Sequence, residues 1–284
     1  MNPLQEFVHR VLAEDLGGAG DITTAACIGS ETVIEANIVA RAPGVVAGLT
    51  VAREVLRTLD PQVEWDARRT EGDVVEPGSV VVRLHGSARA ILSAERTALN
   101  LIGRLSGVAT ATHQLVTRVE GTGARIVDTR KTTPGLRALE KAAVRAGGGH
   151  NHRFGLYDAV LIKDNHIVAS GGIRRAVELV RGAVGHMVVI AVEVDTMEQL
   201  DELLEIGADA VLLDNMAPET LRQAVEKIGG RMTTEASGNI TAANVRAVAE
   251  TGVDYISVGW ITHSAPALDV ALDICESRGA VGSR

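Results

Sequence analysis

The chain has 284 residues, 46% of them hydrophobic and 23% charged, enough for one large or two ordinary domains with a sizeable core. A formal net charge of -8 argues against non-specific binding to nucleic acid or acidic membranes, and aromatic residues at 2% leave few platforms for stacking bases. No apolar run reaches membrane-spanning length, and the first thirty residues carry acids where a secretion signal would be basic and then apolar, so the expected location is cytoplasmic.

Met1 to Leu16 has apolar residues at 4, 7, 8, 11, 12 and 16, the helical period, and ends before Gly17-Gly18. Short alternating runs from Thr32 to Val46 and from Val63 to Leu84, broken at Pro43-Gly44, Glu71-Gly72-Asp73 and Pro77-Gly78, predict a small antiparallel sheet. Leu49 to Leu59 reads as a helix packed on it. The turn-rich phrase EGDVVEPGSVVVRLHG has the pattern of a biotin or lipoate carrier, but no lysine is present for its hairpin tip. Ala88 to Val119 reads as one long helix or a broken pair, weakest at Gly103 or Gly107. Cys27 and Cys275, alone at opposite ends, read as buried thiols.

From Arg125 the pattern alternates between strand and helix. Strands are expected near 125–130, 159–163, 187–194, 210–214, 232–236 and 255–259, with helices at 172–184, 196–206, 218–228 and 241–250 among them. The later units recur about every 20 to 25 residues, the spacing of successive βα units in one parallel sheet or barrel. Right-handed crossovers bring the carboxyl ends of such strands to one face, where α/β barrels carry their active sites.

Those ends hold Arg130-Lys131, Lys163, Glu193 with Asp195, Asp214-Asn215, Glu235 with Ser237-Gly238-Asn239, and Gly259. Lysine stands only at 131, 141, 163 and 227, and two of these four fall at strand ends. A chain that otherwise uses arginine has placed compact ammonium groups where a phosphate or reacting group needs one. Glu193 and Asp214 suit Mg²⁺ held through water, or sugar hydroxyls, and equally suit capping of the helices that follow. Glycine in Ser237-Gly238-Asn239 and at 259 lets backbone N–H groups approach a phosphate. His152, between Asn151 and Arg153 after three glycines, is hard to explain as packing; a zinc site of His150, His152 and His166 lacks a cysteine or acidic partner at the usual spacing. No Walker or Rossmann fingerprint appears. Arg96 by itself reads as an exposed helix residue, because Glu95 and Arg96 do not share a face.

Taken together, EDLGGAGDITT, GVVAG at 44–48, SAERTALNL at 93–101, DTRKTTPGLR, GGGHNHR, LIKDNH, VEVD, LLDN, ASGN and TGVDYISVG resemble the quinolinate phosphoribosyltransferase family over nearly the whole chain. The resemblance implies an α/β fold: an incomplete parallel α/β barrel over 108–263 with an N-terminal α/β open-sandwich domain over 1–107, to which a C-terminal helix at 264–284 returns. It implies transfer of phosphoribosyl from phosphoribosyl pyrophosphate to quinolinate with decarboxylation, in a homodimer with shared active sites. Arg130, His152, Arg153 and Lys163 would surround the quinolinate carboxylates, with Arg96 reaching in from the other subunit. Lys131 and Lys163 would lie near the phosphates, Glu193 and Asp214 would serve the ribose hydroxyls and Mg²⁺, and Ser237, Gly238 and Gly259 the 5′-phosphate. Trp260 departs from the family pattern, where a smaller residue is usual; its indole either narrows the phosphate pocket or covers a hydrophobic gap.

Overall fold

The computed structural model describes residues 2–275, which form two compact units: the chain up to Thr110 together with the chain from Ala265 onward, and Ala111–Ser264. The first unit opens with helix α1 (Pro3–Leu16), started by a capping box in which the Asn2 side chain accepts the Gln5 N–H and the Gln5 side chain accepts the Asn2 N–H. Helix α2 (Ile22–Cys27) is capped by Asp21. Bonds from the Thr24 hydroxyl and N–H hold the Asp21 carboxyl below its ordinary value. Strands β1 (Val33–Ala40) and β2 (Gly44–Val45) precede helix α3 (Leu49–Leu59), whose apolar stripe buries Leu49, Val51, Ala52, Val55 and Leu56. Strands β3 (Glu64–Ala67), β4 (Val74–Val75) and β5 (Val80–Ser87) follow. Strand β5 is antiparallel to β1 on one side and to β3 on the other; β2 pairs with β4 separately. Cys27 is exposed and Cys275 half-buried, so neither is the buried thiol expected.

Helix α4 (Ala88–Val119) runs unbroken through both expected weak points. The glycines are there for contact rather than for a break: a Cβ at Gly107 would stand 2.1 Å from the Pro266 carbonyl oxygen, and one at Gly103 2.9 Å from that of Leu268. The returning chain therefore lies directly on the helix backbone.

In the second unit the alternation is β6 (Arg125–Val127), α5 (Arg137–Ala146), β7 (Val160–Ile162), α6 (Asp164–Ser170), α7 (Ile173–Ala183), β8 (Ile190–Val194), α8 (Met197–Ile206), β9 (Ala210–Asp214), α9 (Pro218–Ile228), β10 (Thr233–Ser237), α10 (Val245–Ala249), β11 (Tyr255–Ser257) and α11 (Trp260–His263). The six strands form one parallel sheet in the order β6-β11-β10-β9-β8-β7. Among the described residues no ladder joins β7 to β6, so the barrel is incomplete. Instead a parallel bridge joins Val127 to His150, and the segment after α5 runs beside β6.

The helix expected over 264–284 is a misreading for the described part. Val270–Ile274 is a strand, β12, antiparallel to β1 with Ala36 opposite Ile274 and Ala40 opposite Val270. It completes the sheet as β12-β1-β5-β3, pairing the edge that β1 would otherwise leave open. Residues 276–284 lie outside the described part of the chain.

Candidate active site

The parallel register decides which side chains share the barrel interior. Glu193 is level with Leu212, Leu212 with Glu235, and Asp214 with Ser237, so each strand sends alternate residues to the same side. Together with the loop after β6 and the segment after α5, they line one cavity of about 390 Å³. Its walls are Thr129, Arg130, Lys131, His152, Arg153, Leu161, Lys163, Glu193, Leu212, Asp214, Glu235, Ser237 and Ser257. Of the residues singled out from sequence, Arg130, Lys131, His152, Arg153, Lys163, Glu193, Asp214 and Ser237 thus converge here. Gly259 stands at the edge, where a Cβ would lie 2.8 Å from the Lys131 side chain.

Gly238, Arg96 and Trp260 lie outside this lining. Arg96 lies on α4 in the first unit, exposed, with its guanidinium 4.0 Å from Glu95 and outside the lining. Trp260 is also outside it, and its indole N–H donates to the Ile240 carbonyl at 2.9 Å, which agrees with the packing reading.

Lys163 directly follows β7, capping α6, and forms an ion pair with Glu193 on β8. Arg153 donates to the Ala159 carbonyl at 2.9 Å. Burial, and after it the like charge of Arg130, draws the Arg153 guanidinium below its usual value, with Asp158 opposing. Arg130 and Lys131 make no ion pair among the described residues. Arg130 and Lys131 thus add positive charge to this wall that no ion pair among the described residues offsets.

The segment around His152 rests on a network that sequence reading missed. Asp128 and Lys141 form an ion pair with both side chains wholly buried. Asp128 also accepts the His152 N–H at 2.9 Å and the Asn151 amide at 2.6 Å, and Lys141 donates to the His152 carbonyl at 3.0 Å. Of the three glycines before it, Gly149 does have a packing reason: a Cβ there would stand 2.6 Å from the Thr112 side chain.

Asn215 and Asn239, just past β9 and β10, have φ of 53° and 52° and are the non-glycine residues with positive φ among those described. Asparagine tolerates this conformation better than most residues. The Asn239 amide donates to Asn215 at 3.0 Å, and the Asn215 amide donates to Asp214 at 2.6 Å. Gly238, at φ 91°, packs so closely that a Cβ would stand 2.1 Å from the Asn215 side-chain oxygen. This chain of hydrogen bonds ties the loop after β10 to the Asp214 carboxylate.

As a potential metal site the cavity offers Glu193 and Asp214; no group of three or more His, Cys, Asp or Glu side chains able to hold an ion occurs among the described residues. Two carboxylates fit Mg²⁺ in its usual manner, with waters and substrate phosphates completing the sphere, and do not fit a metal caged by protein alone.

This fold and cavity define an α/β-barrel enzyme with a cavity of charged side chains at the carboxyl ends of its strands. Residues 108–273 match the family model described as the quinolinate phosphoribosyl transferase C-terminal domain, and residues 21–106 match that of the N-terminal domain. The chain belongs to the quinolinate phosphoribosyltransferase family. It is 47% identical over 283 residues to the "Probable nicotinate-nucleotide pyrophosphorylase (carboxylating)" of Bacillus subtilis, covering 99% of this chain and 97% of that one. It is 44% identical to the nicotinate-nucleotide pyrophosphorylase (carboxylating) of Mycobacterium leprae, over 95% of this chain and 96% of the relative. The solved nicotinate-nucleotide pyrophosphorylase of Francisella tularensis superposes with a TM-score of 0.92 at 39% identity, over 96% of each chain.

Proposed function

We propose that this chain transfers the phosphoribosyl group of phosphoribosyl pyrophosphate to quinolinate with loss of CO₂, giving nicotinate mononucleotide and pyrophosphate, in NAD biosynthesis. The observation that carries the reading is the convergence of Arg130, Lys131, Arg153 and Lys163 on one cavity beside Glu193 and Asp214. Two guanidinium groups offer planar, two-pronged bonds to the two carboxylates of quinolinate. A substrate with one carboxylate would leave a desolvated cation without a partner.

Lys131 and Lys163 then serve as point charges toward the phosphates. Glu193 and Asp214 accept hydrogen bonds from the ribose hydroxyls, and Ser237, Gly238 and Gly259 border the 5′-phosphate. Glu193 and Asp214 would hold Mg²⁺ through water or substrate oxygens; when bound, it would neutralise charge on the diphosphate. The pyridine nitrogen, held in line by Arg130 and Arg153, attacks C1 of the ribose as the C1–O bond breaks and pyrophosphate leaves with the electron pair. The ring becomes a pyridinium. The bond from C2 to its carboxylate then breaks, CO₂ departs, and the electron pair left beside the positive nitrogen takes a proton. Lys163 stabilises the charge that moves in both steps.

A homodimer with shared sites belongs to the same proposal: Arg96, exposed and outside the lining of its own chain's cavity, would serve the cavity of a second copy. No described helix is long and apolar enough to cross a membrane, and a cytoplasmic location is part of the reading.

The test is turnover of the purified protein with quinolinate, phosphoribosyl pyrophosphate and Mg²⁺, following CO₂ and nicotinate mononucleotide, with nicotinate in parallel. The expected result is product from quinolinate and little from nicotinate. Product from nicotinate alone would keep the fold and move the substrate, and silence from both would favour a nucleotide-sensing protein.

A further inference from the structure

We infer that Glu235 is a positioning residue of this site, which fixes the His152 ring and, through it, the start of the Arg153 arm; the inference rests on the reading of the cavity as a quinolinate pocket. Glu235 sits inside β10 on the same side as Ser237, one step deeper in the barrel, with its side chain 14% exposed. Nothing in the proposed reaction uses it.

Its Oε2 lies 3.2 Å from the His152 Nε2. The other ring nitrogen, Nδ1, accepts the backbone N–H of Arg153 at 2.7 Å. A nitrogen that receives an N–H carries no hydrogen itself, so the ring hydrogen stands on Nε2 and faces Glu235. The Arg153 N–H and the carboxylate, one at each ring nitrogen, together fix the tautomer and the ring plane. The backbone of the same residue is held by Asp128 at its N–H and by Lys141 at its carbonyl. His152 is thus clamped at four points, and both ring nitrogens are engaged within the protein.

The arrangement carries a local cost, which argues against a packing role. The second oxygen of Glu235, Oε1, is buried and has no hydrogen-bond partner. A buried acceptor without a donor destabilises the fold, and an apolar residue would fill this place better. What the carboxylate supplies is the hold on His152. Because the Arg153 N–H bonds to that ring, a ring free to turn loosens the first atoms of the arm that meets the substrate carboxylate.

The experiment compares Glu235→Ala and Glu235→Gln with the parent enzyme in three readouts. These are KM for quinolinate and for phosphoribosyl pyrophosphate separately, the histidine ring ¹⁵N spectrum with His152 assigned by His152→Asn, and the melting temperature. Glu235→Ala is expected to raise the quinolinate KM roughly tenfold, more than it changes kcat or the other KM, and to lose the single Nε2–H tautomer of His152. It should not lower the melting temperature. Glu235→Gln, whose amide oxygen still accepts from Nε2–H, is expected to restore most of both signals. A quinolinate KM within about twofold of the parent in Glu235→Ala, or an unchanged His152 tautomer, would overturn the inference. If the parent enzyme itself fails to use quinolinate, the reading of the pocket falls, while the tautomer in Glu235→Ala still decides whether Glu235 holds His152.

Discussion

Lys163→Ala is expected to lower turnover of quinolinate by on the order of a thousandfold while the protein stays folded. The side chain is about half exposed and its ion pair with Glu193 spans adjacent strands at the mouth of the barrel, so little of the core depends on it. Its backbone N–H, bonded to His166 at 3.0 Å at the start of α6, survives the substitution. On the proposed reading, what disappears is the positive charge between the carboxylate-binding arginines and the phosphate end, where both chemical steps move charge. Lys163→Arg should not restore activity, because a planar fork cannot stand where a compact ammonium reaches two ligands. Steady-state assays alongside thermal melts decide the matter: turnover within about tenfold of the parent, in a folded protein, would remove Lys163 from the chemistry.

A second large effect concerns stability. Lys141→Met should cost about 3–5 kcal/mol of unfolding free energy, because it leaves Asp128 wholly buried beside no cation. The sign of its pH dependence follows from Asp128. Burial holds that carboxyl above its ordinary range even with Lys141 present, against the pull of Lys141, His152 and Asn151. A carboxyl raised in the folded state contributes stability that is fully present below its unfolded pKa and is lost as pH rises through the folded value. Removing the lysine raises the carboxyl further, so the deficit of Lys141→Met is largest at neutral pH and shrinks as acid protonates Asp128. Urea unfolding at several pH values tests this. A deficit under about 1 kcal/mol at neutral pH, or one indifferent to pH, would mean that the pair is not the isolated buried charge the geometry describes.

The barrel was readable because its strands are short apolar runs at regular spacing, and the cavity because cations sit where those runs stop. Lys131 and Lys163 stood out through the scarcity of lysine. Lys141 belongs to the same four but points into the core, and nothing in the sequence distinguishes a helix lysine in solvent from one sealed against Asp128. The two-residue period that aligns Glu235 with Ser237 was available; Glu235 was noted at its strand end without a role, since only the fold brings His152 across to it. Strand β12 was missed for a different reason. Its partner β1 lies more than two hundred residues earlier, and pairing over such a distance leaves no local mark. Arg96 is a third case: it was named through the family resemblance alone, and its proposed use lies in the cavity of a second copy rather than in that of its own chain.

The chain has only two tryptophans, Trp65 on β3 and Trp260, whose indole is tethered to the Ile240 carbonyl one residue from Gly259. Trp65→Phe therefore leaves a single tryptophan, next to Gly259 at the edge of the cavity, for selective excitation. Filling of the cavity can then be followed by ultraviolet fluorescence in the unlabelled protein, in real time and without waiting for product.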